Sequence, residues 1–378
     1  MKLFDVYSLL DMEPVKAQGA YLWDKAGQEY LDFYGGHAVI SIGHTHPHYV
    51  EKISEQLSKI GFYSNAVINS LQVELAEKLG ALSGYDDYSL FLCNSGAEAN
   101  ENALKLASFT TGRERVLAMR SAFHGRTSLA VTVTDNPNIQ APVNKTDKVS
   151  FIPFNDAEAL RKELSSGKYA SVIVEPIQGV GGIQVATDEF LLAAREACDA
   201  TGTMLICDEI QAGYGRSGKF FSHQWSGVNA DIITLAKGIG NGFPIGAVMI
   251  SPSIPAKKGM LGTTFGGSHL ACAAAIAVAD VVKDENLVEN ARVMGEKIMT
   301  GIAGVSGVKD VRGRGLIIGI DLSVPQADFR KVLREKHHIM TGLTGQYTLR
   351  LLPPLMIGQT EVDRFVEAFR ATAQEMGM

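Results

Sequence analysis

The sequence predicts an α/β protein with a mainly parallel central sheet, completed by a smaller α+β unit at its C-terminal end. Two observations carry this. Between Tyr88 and Ile250, short β-rich runs (YSLFLCN, RVLAM, ASVIVEP, TMLICDE, DIITLAK and GAVMI) alternate with amphipathic helical stretches, the rhythm of strands joined by crossover helices. The runs are continuously apolar rather than alternating, as strands covered on both faces must be.

The remaining chain fills in around that unit. A length of 378 residues suggests two structural units, at roughly 100–200 residues each. The expected division is an N-terminal segment, 1–49, that joins the small unit; a large α/β domain, 50–285; and a small α+β domain, 286–378. The first segment carries turn signals and the glycine- and histidine-rich stretch FYGGHAVISIGHTHPH, and the tail reads helix, short strands, helix, strand and final helix. No repeat or low-complexity tract interrupts this order.

Apolar residues make up 46% and charged residues 20%, which excludes disordered and fibrous classes. A formal net charge of −6 argues against nucleic acid or a membrane surface as partner, so small anionic substrates would need local basic pockets. No apolar stretch approaches the ~20 residues of a membrane span, and no signal pattern follows Met1. Cys93, Cys198, Cys207 and Cys272 lie far apart without CxxC pairing and read as buried, reduced thiols, so the cytoplasm is the expected compartment. His44, His46 and His48 alternate, but Pro47 and the lack of neighbouring acidic or cysteine ligands argue against a metal site.

The chemistry concentrates in MLICDEIQAGYGRSGK and DIITLAKGIGNGFPIGA. One strand delivers Asp208 and a second delivers Lys237 at their carboxyl ends, where ligands of open α/β sheets bind. Alone, each reads more simply as a strand-end acid and a solvated lysine. Together they suit pyridoxal phosphate, whose aldehyde takes a lysine as an imine and whose pyridine nitrogen is kept protonated by a carboxylate. Gly238, Gly240 and Gly242 would let backbone approach a bound cofactor closely. In FLCNSGAEANENALKLA, a strand, the small-residue turn Asn94–Ala97 and a helix start form an anion cup at Ser95, Gly96 and Ala97, a pattern that also serves as an ordinary helix cap. SAFHGRTSLA offers Phe123 to stack on a planar ring and Arg126 to hold a carboxylate; LRLLPPL offers Arg350 as a second clamp.

At these residues the chain resembles fold-type I, class III (ω-amino-acid) pyridoxal-phosphate-dependent aminotransferases, and among them the acetylornithine/succinylornithine group. The similarity runs from LDFYGG to LRLLPPL. It implies an aspartate-aminotransferase-like homodimer with active sites at the subunit interface. It implies that Ser95, Gly96 and Ala97 hold the cofactor phosphate, Phe123 stacks on the ring, and Asp208, Glu209, Ile210 and Gln211 line it, with Asp208 on the ring nitrogen and Gln211 near the phenolic oxygen. Lys237 is then the imine lysine and proton carrier. Arg126 holds the α-carboxylate of the acylornithine, Thr263 contacts substrate, and Thr264 holds phosphate in the partner subunit. Read from the residues alone, the two threonines serve equally well in a turn before Phe265.

The implied reaction moves the δ-amino group of N-acetylornithine or N-succinylornithine to 2-oxoglutarate, in arginine metabolism. Another ω-amino donor (4-aminobutyrate, ornithine or a lysine-pathway amine) is the alternative; intact Asp208 and Lys237 argue against a non-catalytic protein on the same fold. Two residues depart from the family pattern. Val180 stands where a glutamate usually masks the C-terminal arginine, leaving Arg350 unmasked. His37 replaces an apolar residue near the acyl end of the substrate, where it would serve either as a structural histidine or as a reader of the acyl group.

Overall fold

The computed structural model describes residues 1–378. Strands β1 (Pro14–Gln18), β2 (Tyr21–Asp24) and β3 (Glu29–Phe33) open the chain, followed by the short distorted helix α1 (Gly35–Ala38), α2 (Pro47–Lys59) and α3 (Ser70–Ser83). The central portion runs β4 (Ser89–Cys93), α4 (Gly96–Thr111), β5 (Arg115–Met119), α5 (Ser128–Thr132), β6 (Val149–Ile152), α6 (Ala157–Leu164) and β7 (Tyr169–Val174). After the hairpin β8 (Ile177–Gln178) and β9 (Gln184–Val185) come α7 (Asp188–Thr201), β10 (Met204–Asp208), β11 (Ile232–Leu235) and β12 (Gly246–Ile250). The chain ends with α8 (His269–Asp284), α9 (Leu287–Ile302), β13 (Val308–Arg314), β14 (Ile317–Leu322), α10 (Gln326–His337), β15 (Ile339–Thr344), β16 (Thr348–Leu351) and α11 (Gln359–Glu375).

The six β-rich runs all form strands of one sheet, ordered β4-β12-β11-β10-β7-β5-β6. Because side chains alternate across a strand, each run splits between two apolar layers. Val116, Ala118, Ile173, Ile206, Ile232 and Val248 pack with Ala99, Ala103 and Leu104 of α4. Leu117, Val172, Val174, Leu205, Ile233 and Leu235 face the opposite layer, with Phe190 of α7 and Ala275 and Val278 of α8. Each fully buried Val, Leu or Ile contributes about 1.5–3 kcal/mol, so the sheet is held from both sides.

One strand departs from the parallel expectation: β12 runs antiparallel to both β11 and β4. The connection from Ala236 to Ile245 holds only a 3₁₀ turn at Lys237–Ile239, too little for the crossover helix that a parallel return requires. The chain therefore doubles straight back, which leaves Lys237 in the bend. The edge strand β6, not among the six runs, has only four residues and is mostly half-buried, so its apolar signal is weak.

A second sheet, ordered β1-β2-β3-β15-β16-β14-β13, joins the N-terminal strands to the C-terminal ones. The join is the parallel pair β3–β15, with Leu31 opposite Ile339, backed by Phe33 stacked on Phe365 of α11 at 4.6 Å. The single tail strand expected after α10 is a hairpin, β15 and β16. Each alternating histidine bonds a different acid: His44 to Asp32, His46 to Glu285 and His48 to Asp280. The acids thus arrive from other segments, one per ring, and the bonds of His46 and His48 join the start of α2 to α8 and its end.

Arg216, in the loop after β10, fastens the parts around the site. It is buried and donates to the carbonyls of Leu316 (3.0 Å), Pro353 (2.8 Å) and Ile40 (3.4 Å). Burial pushes its pKa down to about 9, which still leaves it charged at neutral pH. Replacement by methionine orphans those carbonyls. Arg216→Met is expected to cost at least about 3 kcal/mol, at about 1–3 kcal/mol for each of the three carbonyls, read as a fall in the midpoint of thermal unfolding; an unchanged midpoint would count against the clamp.

Candidate active site

Asp208, the last residue of β10, is buried and held by three donors. Its Oδ2 accepts from Asn100 Nδ2 (2.8 Å) and bonds His124 Nδ1 (2.7 Å), and its Oδ1 accepts from the Ile210 N–H (3.1 Å). Asn100, from α4, also accepts from Thr234 Oγ1 on β11 (2.8 Å) and donates to the His124 carbonyl (2.7 Å). One carboxamide thereby ties together the two strand ends that carry Asp208 and Lys237, together with the loop that carries Phe123. Neither Asn100 nor His124 was singled out from the sequence. The clue for Asn100 was a short polar side chain at a helix position otherwise surrounded by apolar residues.

Lys237, separated from the end of β11 by Ala236 alone, has a left-handed backbone (φ 51°), an arrangement that costs a non-glycine residue about 1–3 kcal/mol. Neighbours compensate for it. Ser41 Oγ donates to the Gly238 carbonyl (2.7 Å), Tyr49 OH donates to that of Gly240 (2.7 Å), and Asn241 Oδ1 accepts from the N–H groups of Ser41 (2.8 Å) and Ile42 (3.1 Å). The glycine run serves the expected end only in part. A Cβ on Gly240 would lie 2.2 Å from the Phe243 carbonyl oxygen, and one on Gly238 would touch Ser41 and Tyr214; of the three glycines only Gly242 lines the cavity. Gly240 makes room for the protein's own chain at the lysine turn, whereas a Cβ on Gly238 would sit in ordinary contact. Burial pushes the Lys237 amine down to about 8, against the opposing pull of Asp208 and Glu175.

The two strand ends face a cavity of about 390 Å³. Ser95, Gly96, Ala97, Phe123, Arg126, Asp208, Ile210, Gln211 and Lys237 all line it, and so do Glu175 and Val180. The Ser95 hydroxyl caps α4 by accepting from the Glu98 N–H (3.2 Å), and the Ser95 carbonyl accepts from Ala99 (3.0 Å). The remaining early N–H groups, those of Gly96 and Ala97, are the ones a helix leaves without intrahelical partners, and both residues line the cavity. Glu175 is a buried carboxylate that the sequence reading did not single out. It accepts from the N–H groups of Phe123 (2.9 Å) and Gly179 (3.0 Å), and burial raises its pKa against the pull of His124.

Not every expected site residue comes here. The Glu209 carboxylate turns away from the cavity and is saturated by Ser222 N and Oγ and by His223 N and Nδ1, with His223 Nε2 in turn on Tyr85 OH (2.8 Å). Consecutive strand-end residues point to opposite sides, so Asp208 and Glu209 cannot both face one ring. Thr263 and Thr264 lie outside this chain's cavity. Thr263 Oγ1 accepts from Gly266 N (3.1 Å) and Asn94 Nδ2 (3.4 Å), closing the turn before Phe265, while Thr264 is exposed. His37 is exposed, with its ring edge-on to Tyr34 at 4.7 Å; desolvation and the nearby Arg350 and Lys237 cations push its pKa down to about 4, so the ring is neutral at physiological pH. Arg350 is buried beside Gln211 and does not itself line the cavity.

An anion cup at a helix start, a half-buried amine with a lowered pKa, a buried carboxylate fixed by three donors and an aromatic side chain on the same cavity wall fit the phosphate, aldehyde, ring nitrogen and ring face of pyridoxal phosphate. Fold and site together define a fold-type I pyridoxal-phosphate-dependent transferase. The comparisons narrow this: a profile described as aminotransferase class-III matches residues 6–372, and the chain belongs to that family, whose members are pyridoxal-phosphate-dependent aminotransferases. It is similar to the acetylornithine aminotransferase of Methanosarcina mazei, with 40% identity over 93% of this chain and 89% of that protein. Among solved structures it is similar to the acetylornithine aminotransferase of Elizabethkingia anophelis (TM-score 0.86, 31% identity, 98% of this chain and 95% of the other) and the ornithine aminotransferase of Toxoplasma gondii (TM-score 0.92, 29% identity, 98% and 92%).

The lowered pKa of Lys237 has a measurable sign. Burial disfavours the ammonium, so the free amine grows in as pH rises through about 8 rather than through the ordinary lysine range. In cofactor-free protein, labelling of Lys237 by a small amine-reactive reagent, followed by peptide mass spectrometry, is expected to be half-maximal near pH 8. A midpoint near that of exposed lysines would contradict the burial argument.

Proposed function

We propose that this aminotransferase moves the δ-amino group of an N-acylornithine, acetyl or succinyl, to 2-oxoglutarate, giving the N-acyl glutamate semialdehyde and glutamate. The observation that carries the reading is the placement of Arg126 on the cavity wall with Lys237 and Asp208, a free guanidinium beside a proton-carrying amine. The names of similar proteins support the substrate class. Bound pyridoxal phosphate supplies the carbonyl that receives the amino group and the ring that takes up the electrons of the broken C–H bond. The chain does the rest. Asp208, held by Asn100, His124 and the Ile210 N–H, would face the ring nitrogen. The Gly96 and Ala97 N–H groups hold phosphate, and Phe123 covers a ring face. Arg126 takes the donor's α-carboxylate in two parallel hydrogen bonds, which turns the δ-amine inward. Lys237, with its lowered pKa, carries the proton off the δ-carbon.

A second donor class has its own support. Val180, on the cavity wall in place of the usual glutamate, leaves other ω-amino donors open, and the fold is similar to that of an ornithine aminotransferase. A panel of acetylornithine, succinylornithine, ornithine and 4-aminobutyrate, each with 2-oxoglutarate, decides between them by kcat/KM. The acylornithines are expected to exceed the other two at least about tenfold, equivalent to about 1.4 kcal/mol of transition-state binding; preference for ornithine or 4-aminobutyrate overturns the proposal.

The same reading makes the protein a cytoplasmic homodimer, with Thr264 reaching the partner's cofactor phosphate and Thr263 its substrate. Four free, buried cysteines support a reducing compartment, and no helix is long and apolar enough to cross a membrane. Exposed apolar side chains gather beside the threonines: Phe62 packs on Phe265 at 5.2 Å, with Tyr63, Val67 and Ile68 nearby in sequence, all open to solvent in one chain. Sedimentation is expected to give twice the 40.6 kDa chain mass, and Phe265→Asp is expected to shift it toward the monomer and lower activity with it. A fully active monomer would overturn the shared site.

A further inference from the structure

The loop between β8 and β9, residues 179–183, carries Val180 on the wall of the active-site cavity. Packing does not hold that side chain: it is 45% exposed, and with Phe123 it also borders a second crevice of about 530 Å³. Backbone bonds hold it instead. The Gly179 carbonyl accepts from Arg350 on β16 (2.9 Å), that of Val180 from the Thr344 hydroxyl on β15, and that of Gly182 from Arg312 Nε on β13 (2.7 Å). No strand of the second sheet lines the cavity, yet three of its strands hold this piece of the wall. The loop ends under strain. Buried Ile183 has a left-handed φ of 56°, an outlier for a β-branched residue, and it packs on β14 where Gly319 leaves room: a Cβ there would lie 2.9 Å from Ile183 Cβ. Such a conformation persists only where its surroundings over-determine it. Arg312 stands directly opposite Gly319 in the sheet, and its guanidinium is fixed by Asp321 (2.7 and 3.0 Å) and Asp310 (2.7 Å).

We propose that Arg312 is a positioning residue for the reaction: with Thr344, it fixes the loop so that Val180 stands at a set depth against the methylene chain of the bound substrate. A guanidinium forked onto one carboxylate has a fixed plane, so its remaining Nε–H aims at the Gly182 carbonyl in a single direction. Thr348 steadies the far side of the fork by donating to Asp321 (2.6 Å). Without the fork, the loop is free to relax from the strained turn at Ile183, and Val180 withdraws from the cavity. The residue acts through Val180 and touches neither substrate nor cofactor.

The test is a double-mutant cycle on the holoenzyme. KM and kcat are measured at saturating 2-oxoglutarate for whichever of acetylornithine, succinylornithine, ornithine and 4-aminobutyrate has the highest kcat/KM. Arg312→Met is expected to raise KM about fivefold or more while kcat stays within about twofold, the pattern of binding lost equally from ground and transition states. In the Val180→Ala background, where the shorter side chain leaves the loop little to position, the same substitution is expected to move KM by less than about twofold. Its fall in the midpoint of thermal unfolding is expected in both backgrounds, so lost stability alone gives no such split. If Arg312→Met does not fold, Thr344→Val, which releases the Val180 carbonyl, takes its place in the cycle. An unchanged KM, a loss carried by kcat, or an equal rise of KM in both backgrounds overturns the assignment. Each of the four donors carries a methylene chain, so either result leaves the acylornithine reading untouched.

Discussion

The carboxamide of Asn100 is the point on which the site's geometry depends. Oriented by Thr234 on one strand, it fixes Asp208 on the next and the His124 carbonyl on a loop beyond, so three segments take their spacing from one rigid planar group. A carboxylate and an amine meant for opposite ends of one ring tolerate little drift, and parallel strands joined by long crossovers supply no such precision themselves. Buried hydrogen bonds to a charged partner contribute about 1.5–3 kcal/mol each, enough to make this arrangement the single low-energy one.

Around that point the protein concentrates charge it would otherwise keep in water. Asp208, Glu175, Arg216 and Arg350 are buried and Lys237 is half-buried, and the lowered pKa of Lys237 reflects burial set against the opposing pull of Asp208 and Glu175. Few are neutralised by direct ion pairs. Carbonyls and backbone N–H groups satisfy them instead: three carbonyls on Arg216, two N–H groups on Glu175, and a carbonyl with an amide on Arg350. Neutral partners leave each charge free to answer to cofactor or substrate. Paired carboxylates and guanidinium groups would have cancelled one another before any ligand arrived.

Much of this was legible in the sequence, for identifiable reasons. Strands covered on both faces leave long apolar runs, and the acid or amine ending such a run stands out, as Asp208 and Lys237 do. The phosphate cup was legible because a small-residue turn before a helix has a fixed geometry. What escaped depended on contacts distant in the chain. His124 marks nothing locally, and Asn100 only a polar side chain on an apolar helix face. Glu209 misled because it sits beside Asp208 in sequence while pointing away from it in space. Gly240 misled in purpose: the need for room was real, but what occupies it is the Phe243 carbonyl rather than a cofactor. The antiparallel β12 required a count of the residues between strands, since an apolar run carries no direction.

The parallel pairing of β3 with β15 has a consequence in time as well as in space. On the ribosome, Leu31 emerges roughly 300 residues before Ile339, a wait of about 15–60 s at about 5–20 residues per second. During it β3 has an unpaired hydrogen-bonding edge, a template for association with other chains. The segment that packs against the Lys237 turn through Ser41 lies just beyond that strand. The nascent chain can thus assemble its central sheet early, but it cannot brace the lysine through a completed second sheet until synthesis is nearly over. Maturation of the catalytic centre is thereby tied to the last tenth of translation, the interval in which a holding chaperone would matter most.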